Sequence, residues 1–379
     1  MDFKLDETQE MVRETAYRLS RDVLEPRAAE IDRSHEFPEE QIRALAEAGL
    51  LGVNVPEEYG GSEAGVVSYS LAVMEIAAAC AATSVTMAVT NMVAEIICAF
   101  GTEEMKKKHV PKLCSAEYPA GAFALSEPQA GSDAGSLKTR ARKKDGRWVI
   151  NGSKQWITSG NVAGVLVVWA RTGGPGAAGV SAFLVEGGTP GLIADPPESK
   201  MGQRGSPTVG LTFEDCEVPE DALLGEEGKG FRIAMSALDG GRVGVASQAV
   251  GIARAALDAS IAYSRDRQAF GSSIGSFQAI QWKLADMATQ IEAARLLALQ
   301  AALLKEKGRP FTTKASMAKL FASEMAVKAC LDAVQIHGGY GYVDDFPVER
   351  YLRDVRTTTI YEGTSEIQRL VIARNLLSS

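Results

Sequence analysis

The chain has 379 residues, 46% hydrophobic and 23% charged, a globular balance with room for two or three domains. Forty basic residues against 48 acidic ones leave a net charge of -8, which excludes the basic footprint of a nucleic-acid binder. Cys80, Cys98, Cys114, Cys216 and Cys330 are scattered and form no Cys-x-x-Cys pair, so they read as small buried residues rather than a disulfide frame or a zinc site.

The opening, Met1-Asp2-Phe3-Lys4-Leu5-Asp6-Glu7, has no leader pattern and is too acidic for a transit peptide, so a cytoplasmic, bacterial protein is expected. Residues 1–115 carry apolar side chains at helical spacing, Met11, Ala16, Leu19 and Val23, then Ile42, Leu45, Ala46 and Leu50, with breaks expected at Pro26, Pro38 and Pro56. Residues 116–226 change to short β-branched runs between turn residues, and Asp145-Gly146 between two of them is a hairpin signal, predicting an antiparallel β domain. The strongest apolar run, 164–170, is far below the roughly 20 residues a membrane helix needs, so no membrane span is expected. Residues 227–379 return to long helices, predicted over 231–263, 277–307 and 312–336, with a last one from near Ser365, where Ser365-Glu366-Ile367-Gln368 fits a capping box. The expected class is therefore α+β and multidomain, in the order helical, β, helical.

Several motifs fail their context. Gly174-Pro175-Gly176-Ala177-Ala178-Gly179 has dinucleotide-fingerprint spacing, but a strand-like run follows it where a helix is required. Gly271-Ser272-Ser273-Ile274-Gly275 resembles a nucleophile elbow, yet a helical run precedes it instead of a strand. His35, His109 and His337 lie far apart without metal-ligand spacing, and His337 reads best as a histidine satisfied at a helix end.

Four segments carry the chemistry. The first, 124–136, runs from a strand end into a loop of small and hydroxyl residues, Ser126, Gly131, Ser132 and Ser136, able to approach a planar ligand closely. The second, 154–160, places Trp156 and Thr158 on one strand face, an aromatic beside a hydroxyl. In the third, Gln335 leads through Gly338, Gly339 and Gly341 to Asp345, Arg350 and Asp354, a helix end opening into glycines. The fourth is Tyr361-Glu362-Gly363-Thr364, a lone carboxylate with no basic residue within five positions. Taken alone, Glu362 reads better as a solvated acid near a helix N-terminus, where the dipole favours negative charge.

Together, in order and over essentially the whole chain, these segments resemble the acyl-CoA dehydrogenase family, in its bacterial short- or medium-chain, butyryl-CoA-like form. The resemblance implies a helical bundle, a middle β domain and a C-terminal four-helix bundle, with bound FAD, an acyl-CoA substrate and α,β-dehydrogenation to a trans-2-enoyl-CoA. It makes Glu362 the base that takes the α-proton while the β-hydride goes to flavin N5. Such a base must be ionised, free of any paired cation and in an apolar site. By resemblance, Phe123, Leu125, Ser126, Gly131, Ser132, Trp156 and Thr158 surround the flavin, and Thr364 and Glu366 face its phosphates or ribose. Arg267, Gln278, Gln335 and Gly339 match residues that reach the FAD of a neighbouring subunit, implying a homotetramer built as a dimer of dimers. Asp239 and Arg242, which read otherwise as an i,i+3 surface pair, would hold polar parts of CoA, with Ser132, Tyr361 and Gly363 beside the substrate.

Some family members carry the base at the position matching Gly241, so that alternative base is absent. Gln129 and Ser126 depart from a frequent glycine and threonine. The stretch 89–95 does not align cleanly with straight-chain members, which leaves chain length open: Asn91 and Glu95 read first as the polar edge of a helix, and otherwise as contacts to a short, branched or alicyclic acyl tail. Electron-transfer flavoprotein is the implied acceptor. An oxidase on the same scaffold, or a flavin and acyl-CoA binder without turnover, are the alternatives.

Overall fold

The computed structural model describes residues 4–378; Met1, Asp2 and Phe3, part of the acidic opening, and Ser379 lie outside the described residues. Helix α1 (Glu7–Leu19) begins at a capping box in which the Asp6 side chain accepts from the Gln9 amide and Gln9 reaches back to the Asp6 amide. It runs through a π-helical turn, Ser20–Leu24, into α2 (Glu25–Ser34). Pro26 therefore does not break the helical path: it occupies the first turn of α2, where a missing N–H is tolerated. Helices α3 (Glu39–Glu47), α4 (Gly65–Ala79), α5 (Ala81–Phe100) and α6 (Glu103–Cys114) follow. At 20 residues α5 is long and apolar enough to cross a membrane, contrary to expectation, but most of it is buried, with Val85, Val89 and Val93 packed in one cluster with the β domain's Leu125 and Trp169.

The middle zone forms an eight-stranded sheet in the order β6-β7-β3-β2-β4-β5-β8, with β1 added on β4. Its strands are β1 (Gly121–Ala124), β2 (Arg140–Lys144), β3 (Arg147–Thr158), β4 (Val165–Arg171), β5 (Val180–Glu186), β6 (Leu192–Ala194), β7 (Thr208–Pro219) and β8 (Leu223–Leu224). Pairing is antiparallel except that β1 lies parallel to β4 and one parallel pair, Arg140 with Arg171, joins β2 to β4. At the β2–β3 turn Asp145 (φ +51°) and Gly146 (φ +75°) are both left-handed, as a type I′ hairpin needs. The 174–179 stretch is a loop between β4 and β5.

Helix α7 (Gly230–Asp266) leads to a small hairpin, β9 (Gln268–Ala269) with β10 (Ser272–Ser273), which accounts for the 271–275 stretch. Helices α8 (Gln278–Glu306), α9 (Thr312–His337), α10 (Val348–Val355) and α11 (Ser365–Leu377) complete the chain. The core between α7, α8 and α9 is rich in alanine: Ala249 and Ala253, Ala294 and Ala298, Ala318 and Ala322 are fully buried, and small side chains there let the axes approach closely. Helix α11 is capped one residue earlier than the sequence pattern suggests: the Thr364 hydroxyl accepts from the Ile367 amide, which frees the Gln368 side chain for the preceding turn.

Candidate active site

The centre of the site is the turn between the 3-10 segment Arg356–Thr359 and α11. Glu362 has φ +52° and Gly363 φ +95°, so two successive residues sit in the left-handed region and reverse the chain. For a residue with a Cβ this conformation costs about 1–2 kcal/mol, and it persists only where neighbours hold it. Gly363 suits its place on two counts, since a Cβ there would also fall 2.7 Å from Gln368 Nε2. The Gly363 carbonyl accepts from Lys319 Nζ of α9 at 2.7 Å and from Gln368 Nε2 of α11 at 2.9 Å, and the Glu362 carbonyl accepts from Gln368 Nε2 at 3.3 Å. Tyr361 donates its hydroxyl to Gln248 Oε1 of α7, and Gln248 Nε2 in turn donates to the Ala81 carbonyl at 3.1 Å.

This anchoring turns the Glu362 side chain onto α7. The residue keeps some exposure, yet its Oε2 is sealed from solvent and has no hydrogen-bond partner. The fit is close: a Cβ on Gly241 would lie 1.8 Å from that oxygen. Burial pushes the Glu362 carboxyl up to about 7, while the charges of Lys319 and Arg242 pull the other way. The sequence shows no cation near Glu362, and among the described residues no ion pair includes it; the fold nevertheless brings two buried cations from α9 and α7 close enough to act on it. Lys319 is fully buried, and burial holds its ammonium down to about 8, opposed by Glu362.

Asp239 and Arg242 do pair at i,i+3, but the pair is not a surface one: Arg242 is 5% exposed and Asp239 Oδ2 also accepts from the Thr312 hydroxyl. Arg242 Nε, Ser365 Oγ, Gln368 Oε1 and Glu362 Oε2 are all buried without a partner. Unpaired buried polar atoms are costly, and these four gather on the Glu362 turn and on the parts of α7 and α11 beside it, which makes the turn a candidate place for a polar ligand.

On the β side, Glu127 shapes the loop after β1. Its carboxylate accepts from the Lys138 and Thr139 amides at 2.6 and 2.9 Å and pairs at 2.9 Å with Lys154 Nζ, which also donates to the Leu125 carbonyl at 3.1 Å. Both partners are buried: desolvation opposes the Glu127 charge, but Lys154 and the amides overcome it and hold the carboxyl down, while burial lowers the Lys154 ammonium. Leu125 is buried beneath this loop, Ser126 is half-buried, and Gly131 and Ser132 are exposed, with open space where a Cβ on Gly131 would point. Phe123 packs against Trp169 with ring centroids 4.3 Å apart and the ring planes tilted by 47°. Trp156 stands 61% exposed in a left-handed conformation (φ +65°) at an irregularity in the β3–β7 register, with buried Ile157 between it and half-buried Thr158, so the two share a face. An exposed indole held in a strained conformation beside an open small-residue loop fits a planar, polar-edged group such as a flavin. Thr364 spends its hydroxyl on the helix cap, and Glu366 is exposed in the first turn of α11.

The remaining positions expected at the cofactor lie elsewhere. Arg267 and Gly339 line one pocket of about 520 Å³ with Tyr263, His337 and Tyr340, at the far ends of α7 and α9; Gln335 is exposed on the same end of α9 and Gln278 on the first turn of α8. Eighteen residues of helix separate Lys319 from His337, about 27 Å at 1.5 Å per residue, so this group cannot reach the Glu362 turn of its own chain. His337 donates its Nδ1–H to the Ala333 carbonyl, 2.8 Å away, and its ring stacks on Tyr263, but its buried Nε2 has no hydrogen-bond partner, so the satisfied helix-end role expected of it is met at one ring nitrogen only.

Acyl-CoA dehydrogenase domain models match the chain throughout: the N-terminal domain at residues 6–117, the middle domain at 122–216 and the C-terminal domain at 228–377. The chain belongs to the acyl-CoA dehydrogenase family. It is 49% identical over 380 residues to a probable acyl-CoA dehydrogenase of Bacillus subtilis, covering 100% of both chains. It is 49% identical over 378 residues to the short-chain specific mitochondrial acyl-CoA dehydrogenase of Bos taurus, covering 99% of this chain and 92% of the relative. Butyryl-CoA dehydrogenase of Megasphaera elsdenii superposes with a TM-score of 0.97 at 44% identity over 100% of both chains. The protein is thus an oxidoreductase of the family, and the family uses FAD.

In this acyl-CoA dehydrogenase Asn91 does not face a ligand. It is fully buried and spends its side chain on backbone, accepting from the Val53 amide at 2.9 Å and donating to the Leu50 and Met87 carbonyls at 2.9 and 3.0 Å. Glu95 accepts from Asn54 at 2.7 Å and pairs with Lys305 of α8. Sequence reasoning assigned no role to Lys319, Lys154 or Gln248. The signal for Lys319 was available: it falls on the helix face of Ala315, Ala318 and Ala322, all buried, where a lysine is out of place.

Proposed function

We propose that Glu362 is the base of an α,β-dehydrogenation of a short acyl-CoA thioester. The supporting observation is its Oε2, sealed, unpartnered and pressed against the bare backbone of Gly241. The α C–H bond breaks with its proton moving to the Glu362 carboxylate, and the electron pair left behind forms the Cα=Cβ bond of the enoyl product. FAD, when bound, supplies the acceptor for the hydride leaving Cβ. Charge developing on the thioester oxygen needs donors aimed at it, and the backbone N–H of Glu362, held by the anchored turn, serves as one. A carboxyl near neutrality before reaction is a stronger base than a solvated glutamate, as the task demands.

Phe123, Leu125, Ser126, Gly131, Ser132, Trp156 and Thr158 hold the flavin, with Thr364 and Glu366 towards its phosphates or ribose. Asp239, Arg242, Ser132, Tyr361 and Gly363 meet the CoA thioester. The acyl group lies along the glycine strip of α7. On that strip, Cβ atoms on Gly240, Gly241 and Gly244 would meet Lys305 Nζ at 2.9 Å, Glu362 Oε2 at 1.8 Å and Tyr69 Oη at 2.7 Å. The Lys305–Glu95 pair then closes the space with polar groups, which favours a short, branched or alicyclic chain. Arg267, Gln278, Gln335 and Gly339 serve the cofactor of another copy in a homotetramer, a reading supported by their distance from Glu362 and by exposed Trp282, Phe321 and Leu331 on α8 and α9. Electrons pass on to electron-transfer flavoprotein. Anaerobic mixing with acyl-CoAs of graded length tests the dehydrogenation and its chain length: bleaching of the yellow flavin with a short-chain optimum is expected, and absence of bleaching with any acyl-CoA overturns the reading. Rapid recolouring in air would assign an oxidase instead.

A further inference from the structure

The machinery just proposed does not use Lys319, the buried cation nearest the Glu362 turn. We propose that Lys319 is a positioning residue for Glu362: its ammonium ties the Gly363 carbonyl, fixes the left-handed pair of residues, and supplies the positive charge against which the neighbouring carboxylate stays ionised. The proposal rests on Glu362 being the base and adds what keeps it competent.

The geometry carries it. Lys319 has no exposed surface, and among the described residues it forms no ion pair; its recorded hydrogen bond is to one backbone carbonyl, that of the residue following Glu362. A lysine in that position is expensive, because a buried cation loses its hydration and a carbonyl returns only part of it. A methionine or leucine would pack on the face of Ala315, Ala318 and Ala322 without that cost. The carbonyl it holds also receives Gln368, so the turn is pinned from α9 and α11 together.

The charged and titratable groups facing Glu362 are few: Lys319 from α9, Arg242 from α7, Tyr69 from α4, and Tyr361 beside it in the chain. Arg242 is already committed to Asp239. Lys319 is the cation without a carboxylate of its own, and it feels Glu366 and Glu324 only after Glu362. Burial alone would favour a protonated, inert carboxyl; a second positive charge offsets that preference.

Infrared difference spectra of the holoenzyme, with E362Q subtracted to isolate the Glu362 carboxyl band, test the idea directly. The wild-type band should titrate near 7. In K319M and in K319Q the midpoint should rise by about one unit or more, while K319R, which keeps the charge, should stay near wild type. Flavin bleaching in K319Q should fall about tenfold at neutral pH and recover as pH is raised, whereas a general structural lesion would depress it in parallel at every pH. Should K319M fail to fold, K319Q retains a donor for the Gly363 carbonyl and carries the same charge test. An unmoved carboxyl midpoint in folded K319M or K319Q overturns the proposal. Failure of the underlying reading looks different: E362Q would then still bleach, whatever Lys319 does to the band.

Discussion

Replacing Gly241 by alanine separates helix stability from proton transfer. The added Cβ would lie 1.8 Å from Glu362 Oε2, 2.6 Å from Cδ and 3.0 Å from Oε1. Since non-bonded carbon and oxygen settle at about 3.5 Å, the carboxylate must retreat by about 1.5 Å or more. The turn behind it is held by Lys319, Gln368 and Tyr361, so the side chain, not the backbone, has to move. A displacement of 1 Å at a reacting group costs about 100-fold, and G241A should therefore slow flavin bleaching about 100- to 1,000-fold, or about 3–4 kcal/mol of activation free energy. Stability should hold or rise by up to about 1 kcal/mol, because alanine is the better helix former inside α7. The comparison variant is G240A, whose Cβ meets the flexible tip of Lys305 at 2.9 Å and not Glu362; it should alter the acyl preference without the loss of proton transfer expected of G241A. Anaerobic stopped-flow bleaching with butyryl-CoA, read beside thermal melting, measures both quantities. If G241A bleaches as fast as wild type while E362Q does not bleach at all, the carboxylate acts from somewhere other than the α7 strip.

Changing Glu362 to Gln should abolish bleaching and leave acyl-CoA binding largely intact, as a spectral titration would show; a variant that turned over normally would remove Glu362 from its role. Because the folded-state pKa of Glu362 is raised from 4.5 to about 7, the protonated form is favoured by folding. That contribution is fully present below 4.5 and is lost as pH rises to about 7, on the order of 3 kcal/mol at most. Bleaching should rise over the same window, so activity and this part of the stability move oppositely with pH, and the stability component should vanish in E362Q. K154M leaves the Glu127 carboxylate buried without its cation and should cost about 3–5 kcal/mol in denaturant unfolding, with part of the loss recovered in the E127Q, K154M double variant. The depressed Glu127 carboxyl contributes stability above the ordinary glutamate range and loses it as pH falls, so acid unfolding should begin at higher pH in K154M. Replacing Lys305 by methionine should shift the acyl preference towards longer straight chains in the graded-substrate assay; an unchanged optimum would place the end of the acyl site elsewhere.

How much of this was visible in the sequence depends on the range of the interaction involved. Helix boundaries in the last third came within a few residues of those found, because α7, α8 and α9 are long proline-free stretches rich in alanine and other strong helix formers, a preference that acts residue by residue. Asp145-Gly146 turned the β2–β3 hairpin for an equally local reason, the ease with which those two residues adopt positive φ. The four segments proposed to face ligands stand out by their small, hydroxyl and aromatic residues, and the lone carboxylate stands out against a stretch without bases. Local reading also had definite failures. Pro26 did not break the helix, since its place in the first turn depends on where the π turn ends. The 20-residue apolar helix α5 went unrecognised because its threonines, Asn91 and Glu95 interrupt the run, and the partners that neutralise them, Leu50, Val53, Asn54 and Lys305, come from other parts of the chain.

Tertiary structure alone decided the charge state of the site. Along the chain Glu362 has no cation near it, yet Lys319 lies 43 positions away and Arg242 lies 120, and both are folded against it. It decided equally that Arg267, Gln335 and Gly339 stand a helix length from Glu362. Residue type and short-range spacing specify which segments become helix, strand or ligand loop, since those preferences act between neighbours. The basicity of one carboxyl depends on the water removed around it and the charges brought to it, and both are settled only when α4, α7, α9 and α11 close over the same turn.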